Sequence, residues 1–298
     1  MTDITNVTVF GTGVLGSQIM MQAAYHGKTV TGYDISDDLL VKLPERWEWM
    51  RGYYKRDLPD FDEKRFDDAI ASISTTTDIA DAVADADLVI EAIPEQLELK
   101  KKVWAQIGES APEKTIFATN TSTLRPSDFA DDTGRPEKFL ALHFANLVWR
   151  YNTGEVMVAE KTEQKYFDIV LEFADEIGLV PIPILKETPG YLLNGLLVPW
   201  LQAGAGLYVD GVANPVDIDN VWRTATHSPQ GPFEVFDVVG FNVAANISRM
   251  GDEKQRKFAE ILQKGIDAGK TGLSDGEGFY TYDSDGKVVA PVTSWNHS

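Results

Sequence analysis

Asn6-Val7-Thr8-Val9-Phe10-Gly11-Thr12-Gly13-Val14-Leu15-Gly16, with Asp34 closing the next apolar run, is the stretch from which this chain can be read. A short β-branched run feeds a G-x-G-x-x-G turn, and a helix-forming segment from Val14 to His26 follows at once. Gly11 permits the tight turn, Gly13 lets backbone approach a pyrophosphate, and Gly16 lets helix and strand pack closely. Thr12, Val14 and Leu15 complete the turn, and the helix N-terminus aims free N–H groups at the phosphates. Asp34 lies 34 − 16 = 18 positions beyond the last glycine. Its carboxylate suits a ribose hydroxyl and repels a 2′-phosphate, so the expected cofactor is NAD.

Outward from this motif, short β-branched runs alternate with helical stretches. The pattern predicts a Rossmann-type, doubly wound, mostly parallel sheet. Expected strands are Val7–Gly11, Thr29–Asp34, Leu88–Ala92, Thr115–Thr119, Phe139–His143, Glu155–Ala159 and Val180–Ile184. Residues 36–72 change character, with Trp47, Trp49, Tyr53 and Tyr54 set among basic residues. A helical hairpin is expected there, either standing off the sheet or packed upon it. Past Lys186 the strand signals stop and an all-α domain of dimerisation type is expected. The predicted division is residues 1–186 and 187–298. The Leu192–Leu207 stretch is apolar on more than one side, as a homodimer interface requires. The last ten residues have the character of a loose tail.

Composition narrows the function. The net charge is −19, which excludes unspecific nucleic-acid binding. Without cysteine there are no disulfides, thiolate nucleophiles or cysteine zinc sites, a pattern that fits a cytoplasmic protein. The four histidines have no metal-ligand spacing, so no metal is expected. No apolar run approaches the roughly 20 residues of a membrane span, and no secretory signal opens the chain.

Three segments carry chemistry. Asn120-Thr121-Ser122 follows a predicted strand, where ligands of open α/β sheets bind. Leu142-His143-Phe144 ends another strand, and Glu155 opens the next. Pro189-Gly190-Tyr191-Leu192-Leu193-Asn194 begins the first helix of the second domain. Oxidising a secondary alcohol needs a base of near-neutral pKa, usually histidine, and a carboxylate to orient it. It also needs small polar groups to hold the reacting oxygen. His143, Glu155, Ser122 and Asn194 supply these types, although spacing alone leaves a strand-end histidine and two capping residues as an alternative.

Taken with Glu91-Ala92-Ile93-Pro94-Glu95, His143-Phe144, Glu187-Thr188-Pro189-Gly190 and Gly269-Lys270-Thr271-Gly272-Leu273 through Gly278-Phe279-Tyr280, these segments resemble, in order, the L-3-hydroxyacyl-CoA dehydrogenase family. The resemblance implies Ser122, His143, Glu155 and Asn194 as the catalytic set. It implies Glu95 and Lys100, beside Asn120 and the glycine turn, as cofactor-site residues. Ala145-Asn146-Leu147-Val148-Trp149 after His143-Phe144, and Gly195 after Asn194, depart from the family pattern. In these features the chain resembles the diketoreductase branch, which acts on β-keto and diketo esters without coenzyme A. The expected reaction is NAD-dependent interconversion of L-3-hydroxyacyl-CoA, of 3-hydroxybutyryl-CoA type, with 3-oxoacyl-CoA. The alternatives are a CoA-independent diketoreductase and a non-catalytic NAD-binding protein of lambda-crystallin type.

Overall fold

The computed structural model describes residues 2–297, which divide into two compact units, the first ending at Leu192 and the second starting at Leu193. The division falls six residues later than Lys186, because the intervening segment is tied into the first unit. Ser127 N–H donates to Glu187 at 2.7 Å and Leu192 N–H donates to Glu155 at 2.9 Å.

The first unit is built on an eight-stranded sheet. Its strands are β1 (Asn6–Phe10), β2 (Thr29–Tyr33), β3 (Ile73–Thr76), β4 (Leu88–Glu91), β5 (Ile116–Thr119), β6 (Phe139–Phe144), β7 (Thr153–Val158) and β8 (Val180–Ile184). Spatial order is β3-β2-β1-β4-β5-β6-β7-β8, parallel throughout except that β7 runs antiparallel to β6. Side-chain alternation sorts the strands onto two faces. Val7, Val9, Leu88, Ile90, Leu140 and Leu142 enter one core, while Phe10, Val89, Phe117 and Phe139 enter the other with Trp104. Strand β3 carries only Ile-Ser-Thr-Thr, too short and polar to register as apolar periodicity. The chain reverses direction of travel between β1 and β4, which opens a crevice at their carboxyl ends.

The residue 36–72 segment is helical, mainly Leu43–Asp57 and Glu63–Ser72. It packs down rather than standing off. Leu43, Trp47, Met50, Tyr54 and Phe66 join the first core, and Tyr54 Oη donates to Gln22 Oε1 of the Val14–Tyr25 helix at 2.8 Å.

The second unit holds the helices Pro215–Thr226, Pro232–Val239, Phe241–Arg249 and Glu253–Asp267, with most of Tyr191–Val209. This last helix has 19 residues and a mean hydropathy of 1.3. By length and composition alone it is long and apolar enough to cross a bilayer, contrary to the sequence expectation. Strand signals do not stop at Lys186, because β9 (Tyr280–Tyr282) and β10 (Val288–Pro291) form an antiparallel hairpin. The tail is likewise not loose: Trp295 Nε1 donates to the Gly278 carbonyl at 2.9 Å and its ring packs on Phe279.

Two buried carboxylates fasten this hairpin. Asp237 accepts from Phe279 N–H (2.8 Å), Tyr280 N–H (2.9 Å) and Tyr282 Oη (2.8 Å). Asp219 accepts from Phe233 N–H, Glu234 N–H and Tyr280 Oη. Burial pushes both carboxyls up to about 6, against these hydrogen bonds. A side chain at Gly278 would meet Asp237 Oδ1 at 2.1 Å, so the late glycine motif serves this anchor. Asp237→Ala strands two buried N–H groups, and we expect it to cost about 2–4 kcal/mol. Denaturant unfolding followed by tryptophan fluorescence measures this, with the loss confined to the second unit.

Candidate active site

The crevice between β1 and β4 is shaped by glycine. Gly11 has φ +92°, and a Cβ there would lie 2.6 Å from the Ala92 carbonyl oxygen. A Cβ at Gly16 would lie 1.8 Å from the Gly11 carbonyl oxygen, whereas Gly13 faces open space. Helix and two strand ends thus touch through backbone at Gly11 and Gly16, and Gly13 between them leaves room for a ligand. The Val14–Tyr25 helix begins directly after Gly13 without a side-chain cap, which leaves its first N–H groups for phosphates. Asp34 Oδ2 accepts from Thr12 N–H (2.8 Å) and Thr12 Oγ1 (2.7 Å), and Oδ1 accepts from Ile35 N–H. The carboxylate is thereby fixed at the lip of the turn with lone pairs to spare for a ribose. These residues fit a bound dinucleotide.

At the end of β4, Glu91 is fully buried and fully satisfied by Lys100 Nζ, Ile93 N–H, Trp104 Nε1 and Thr119 Oγ1. Lys100 is also buried, with its ammonium 2.5 Å from Glu91 and 3.3 Å from Glu95. Lys100, one of the residues expected in the cofactor site, is thus paired with two carboxylates at the end of β4. Its charge is spent beneath the surface, and it acts on the crevice through Glu95. Glu95 Oε1 in turn gathers Thr121 Oγ1, Ser122 N–H and Thr123 N–H at 2.5–3.0 Å. Burial alone would raise its pKa, but these bonds and Lys100 hold it at about 2. Glu95 is thus an anion that shapes the loop bearing Ser122. Asn120 Oδ1 accepts from Phe144 N–H at 2.9 Å, which ties the end of β5 to β6 and leaves its Nδ2 donors free for a ligand.

The antiparallel pairing of β6 with β7 sets His143 directly opposite Glu155. His143 Nδ1 lies 2.9 Å from Glu155 Oε2, and Nε2 lies 3.1 Å from Ser122 Oγ. Both members of the pair are buried. Ser122, His143 and Glu155 therefore form one hydrogen-bonded line within the first unit. Asn194 belongs to the second unit, on the opening turn of the Tyr191–Val209 helix.

Sequence reasoning missed several supports. Gln18 Oε1 accepts from Leu147 N–H at 2.8 Å and its Nε2 donates to Asn146 Oδ1, which holds the turn after β6 where Leu147 has φ +60°. Trp149 is buried against Tyr54, and its Nε1 donates to Asp57 at 3.0 Å. Tyr191 stacks on the His143 imidazole. A polar residue inside an apolar helix stretch was the available signal for Gln18; Trp149 and Tyr191 stand in segments the sequence singles out, but nothing local marked these contacts.

A glycine-shaped switch-point crevice beside a histidine–glutamate pair defines an NAD-dependent oxidoreductase. Comparison with known proteins supplies the family. Residues 6–188 match the NAD-binding domain of 3-hydroxyacyl-CoA dehydrogenase, and residues 190–282 match its C-terminal domain. The chain belongs to the 3-hydroxyacyl-CoA dehydrogenase family. It is 35% identical over 288 residues to the mitochondrial hydroxyacyl-coenzyme A dehydrogenase of Sus scrofa, covering 94% of this chain and 91% of that protein. Against the 3-hydroxybutyryl-CoA dehydrogenase of Clostridioides difficile identity is 31%, covering 93% and 99%. A solved diketoreductase, described for dual catalysis of dicarbonyl compounds, is 54% identical with a TM-score of 0.91, covering 95% of this chain and all of that one.

Asp34→Ala removes the charged acceptor beside the glycine turn. We expect NADH affinity to fall roughly 10- to 100-fold, with NADPH binding unchanged or tighter, as measured by nucleotide fluorescence titration.

Proposed function

We propose that this enzyme interconverts an L-3-hydroxyacyl-CoA of 3-hydroxybutyryl type with the 3-oxoacyl-CoA. The observation that carries the reading is the buried line from Ser122 through His143 to Glu155. Bound NAD supplies the hydride acceptor at the carboxyl ends of the strands. The residues that would hold it are the Gly11–Gly16 turn and Asp34, with Glu95, Lys100 and Asn120 alongside. In oxidation His143 takes the hydroxyl proton at Nε2, the nitrogen that faces Ser122 rather than Glu155. Glu155 holds the tautomer and stabilises the imidazolium. Ser122 holds the reacting oxygen, a role that the family resemblance extends to Asn194. In reduction the protonated imidazole returns the proton to the new alkoxide.

The same chemistry suits a free β-keto or diketo ester, and specific observations favour that second reading. The diketoreductase structure has 54% identity. Trp149 fills the space against the helical hairpin and is pinned by Asp57. Arg51, in that hairpin, is already engaged by Glu48, Glu63 and Asp67, so it has no spare charge for coenzyme A phosphates. The intact hydrogen-bonded line speaks against a non-catalytic, lambda-crystallin-type role.

Exposed Leu196, Val221, Val243 and Met250 support a homodimer through the helical unit. The cysteine-free composition supports a cytoplasmic setting.

His143→Ala is expected to lower kcat by about 10²- to 10⁴-fold while NADH still binds; near-normal turnover would sink the assignment. NADH oxidation with acetoacetyl-CoA beside a matched free 3-oxo ester decides the substrate. A large preference for the thioester supports the first reading, and equal or better rates on the ester support the second.

A further inference from the structure

We infer that Tyr191 is a positioning residue for proton transfer, its ring serving as the platform that fixes the His143 imidazole. The inference rests on His143 being the acid–base group. The two rings lie with centroids 4.4 Å apart and planes 19° from parallel. Hydrogen bonds at Nδ1 and Nε2 hold the imidazole only at its edge. A ring held that way can still tilt about the line joining its two partners, and a flat surface against its face prevents this. When the imidazolium forms, it meets the electron-rich face of the phenol.

The backbone gives this contact a cost that an ordinary core residue does not carry. Gly190 has φ +81° and Tyr191 has φ +56°, two consecutive residues in the left-handed region. A bulky aromatic rarely adopts that conformation, and it persists where surrounding contacts over-determine it. The same turn delivers Leu192 N–H to Glu155 Oε1 at 2.9 Å, so one bend grips the histidine by its face and the glutamate by its second oxygen. Tyr191 packs in one buried cluster with Ala141, Met157 and Ile184 of β6, β7 and β8.

The ring rather than the hydroxyl is the working part. Tyr191 Oη is buried and bonds to no protein group among the described residues. Burial first, then the nearby Glu95, Glu155, Glu91 and Glu187 carboxylates, push its pKa far above the ordinary phenol range. The phenol therefore stays neutral and does not compete for the substrate proton.

The test is a series at one position, read as kcat, KM for the 3-oxo substrate, NADH affinity and Tm. Tyr191→Phe keeps the platform and should stay within about twofold of the parent kcat, with equal or higher Tm. Tyr191→Leu and Tyr191→Asn remove it and should lose roughly 10- to 100-fold in kcat, with KM and NADH affinity little changed. Asparagine tolerates the left-handed backbone, so it reports on the ring if the leucine variant fails to fold. A folded, NADH-binding leucine or asparagine variant with parent kcat overturns the inference. So does loss of folding or NADH binding in both, or a phenylalanine variant as impaired as leucine. If His143→Ala alone retains turnover, the acid–base reading fails instead.

Discussion

Everything at the catalytic end of this molecule depends on the register between two antiparallel strands. In a mostly parallel sheet, the reversal between β6 and β7 lets residues twelve apart in sequence face one another, and the pair so placed is His143 and Glu155. A slip of one residue would send both side chains to opposite faces, since side chains alternate along a strand. The register is held by the apolar residues on either side: Leu140 and Leu142 on β6, and Val156 on β7, all buried in the same core. Catalytic geometry and hydrophobic patterning are thus one constraint, and neither can drift without the other.

Around that pair the protein spends buried charge on shape. Glu91, Lys100 and Glu95 form a ladder from the sheet interior to the loop that carries Ser122. Buried ions are costly unless every lone pair and proton is satisfied, and here Glu91 has four donors. The outcome is a serine whose backbone is set by a glutamate and whose hydroxyl is set by a histidine. Neither restraint depends on a ligand being present.

Much of this was legible in the sequence, for reasons that can be stated residue by residue. The glycine turn was readable because Gly11 and Gly16 occupy positions where a Cβ collides with backbone, so no other residue serves. The central strands were readable because burial on both faces makes them continuous apolar runs. Edge strand β3 and the β9–β10 hairpin were not, because both are short; β3 is mostly polar and held by its pairing with β2, and the hairpin is held by tertiary bonds to Asp237 rather than by pattern. The surroundings of Lys100 were not legible for a related reason: only the fold brings the two carboxylates Glu91 and Glu95 around it. The Tyr191 stack on His143 joins residues 48 positions apart through a rare backbone conformation, which composition and periodicity do not encode.

The anchoring of the C-terminal hairpin also bears on how the chain is made. Asp219 and Asp237 sit on the first helices wholly within the second unit, yet their phenolic partners Tyr280 and Tyr282 lie 61 and 45 positions further along the chain, with the packing residue Trp295 beyond them. The sheet unit holds all eight of its strands by residue 184 and can fold while synthesis continues. The helical unit must wait, with Asp219 and Asp237 short of their phenolic partners and Phe241 without Phe279, until the segment 279–295 has been made. A chain interrupted before residue 279 therefore carries an open helical core attached to a finished nucleotide-binding unit.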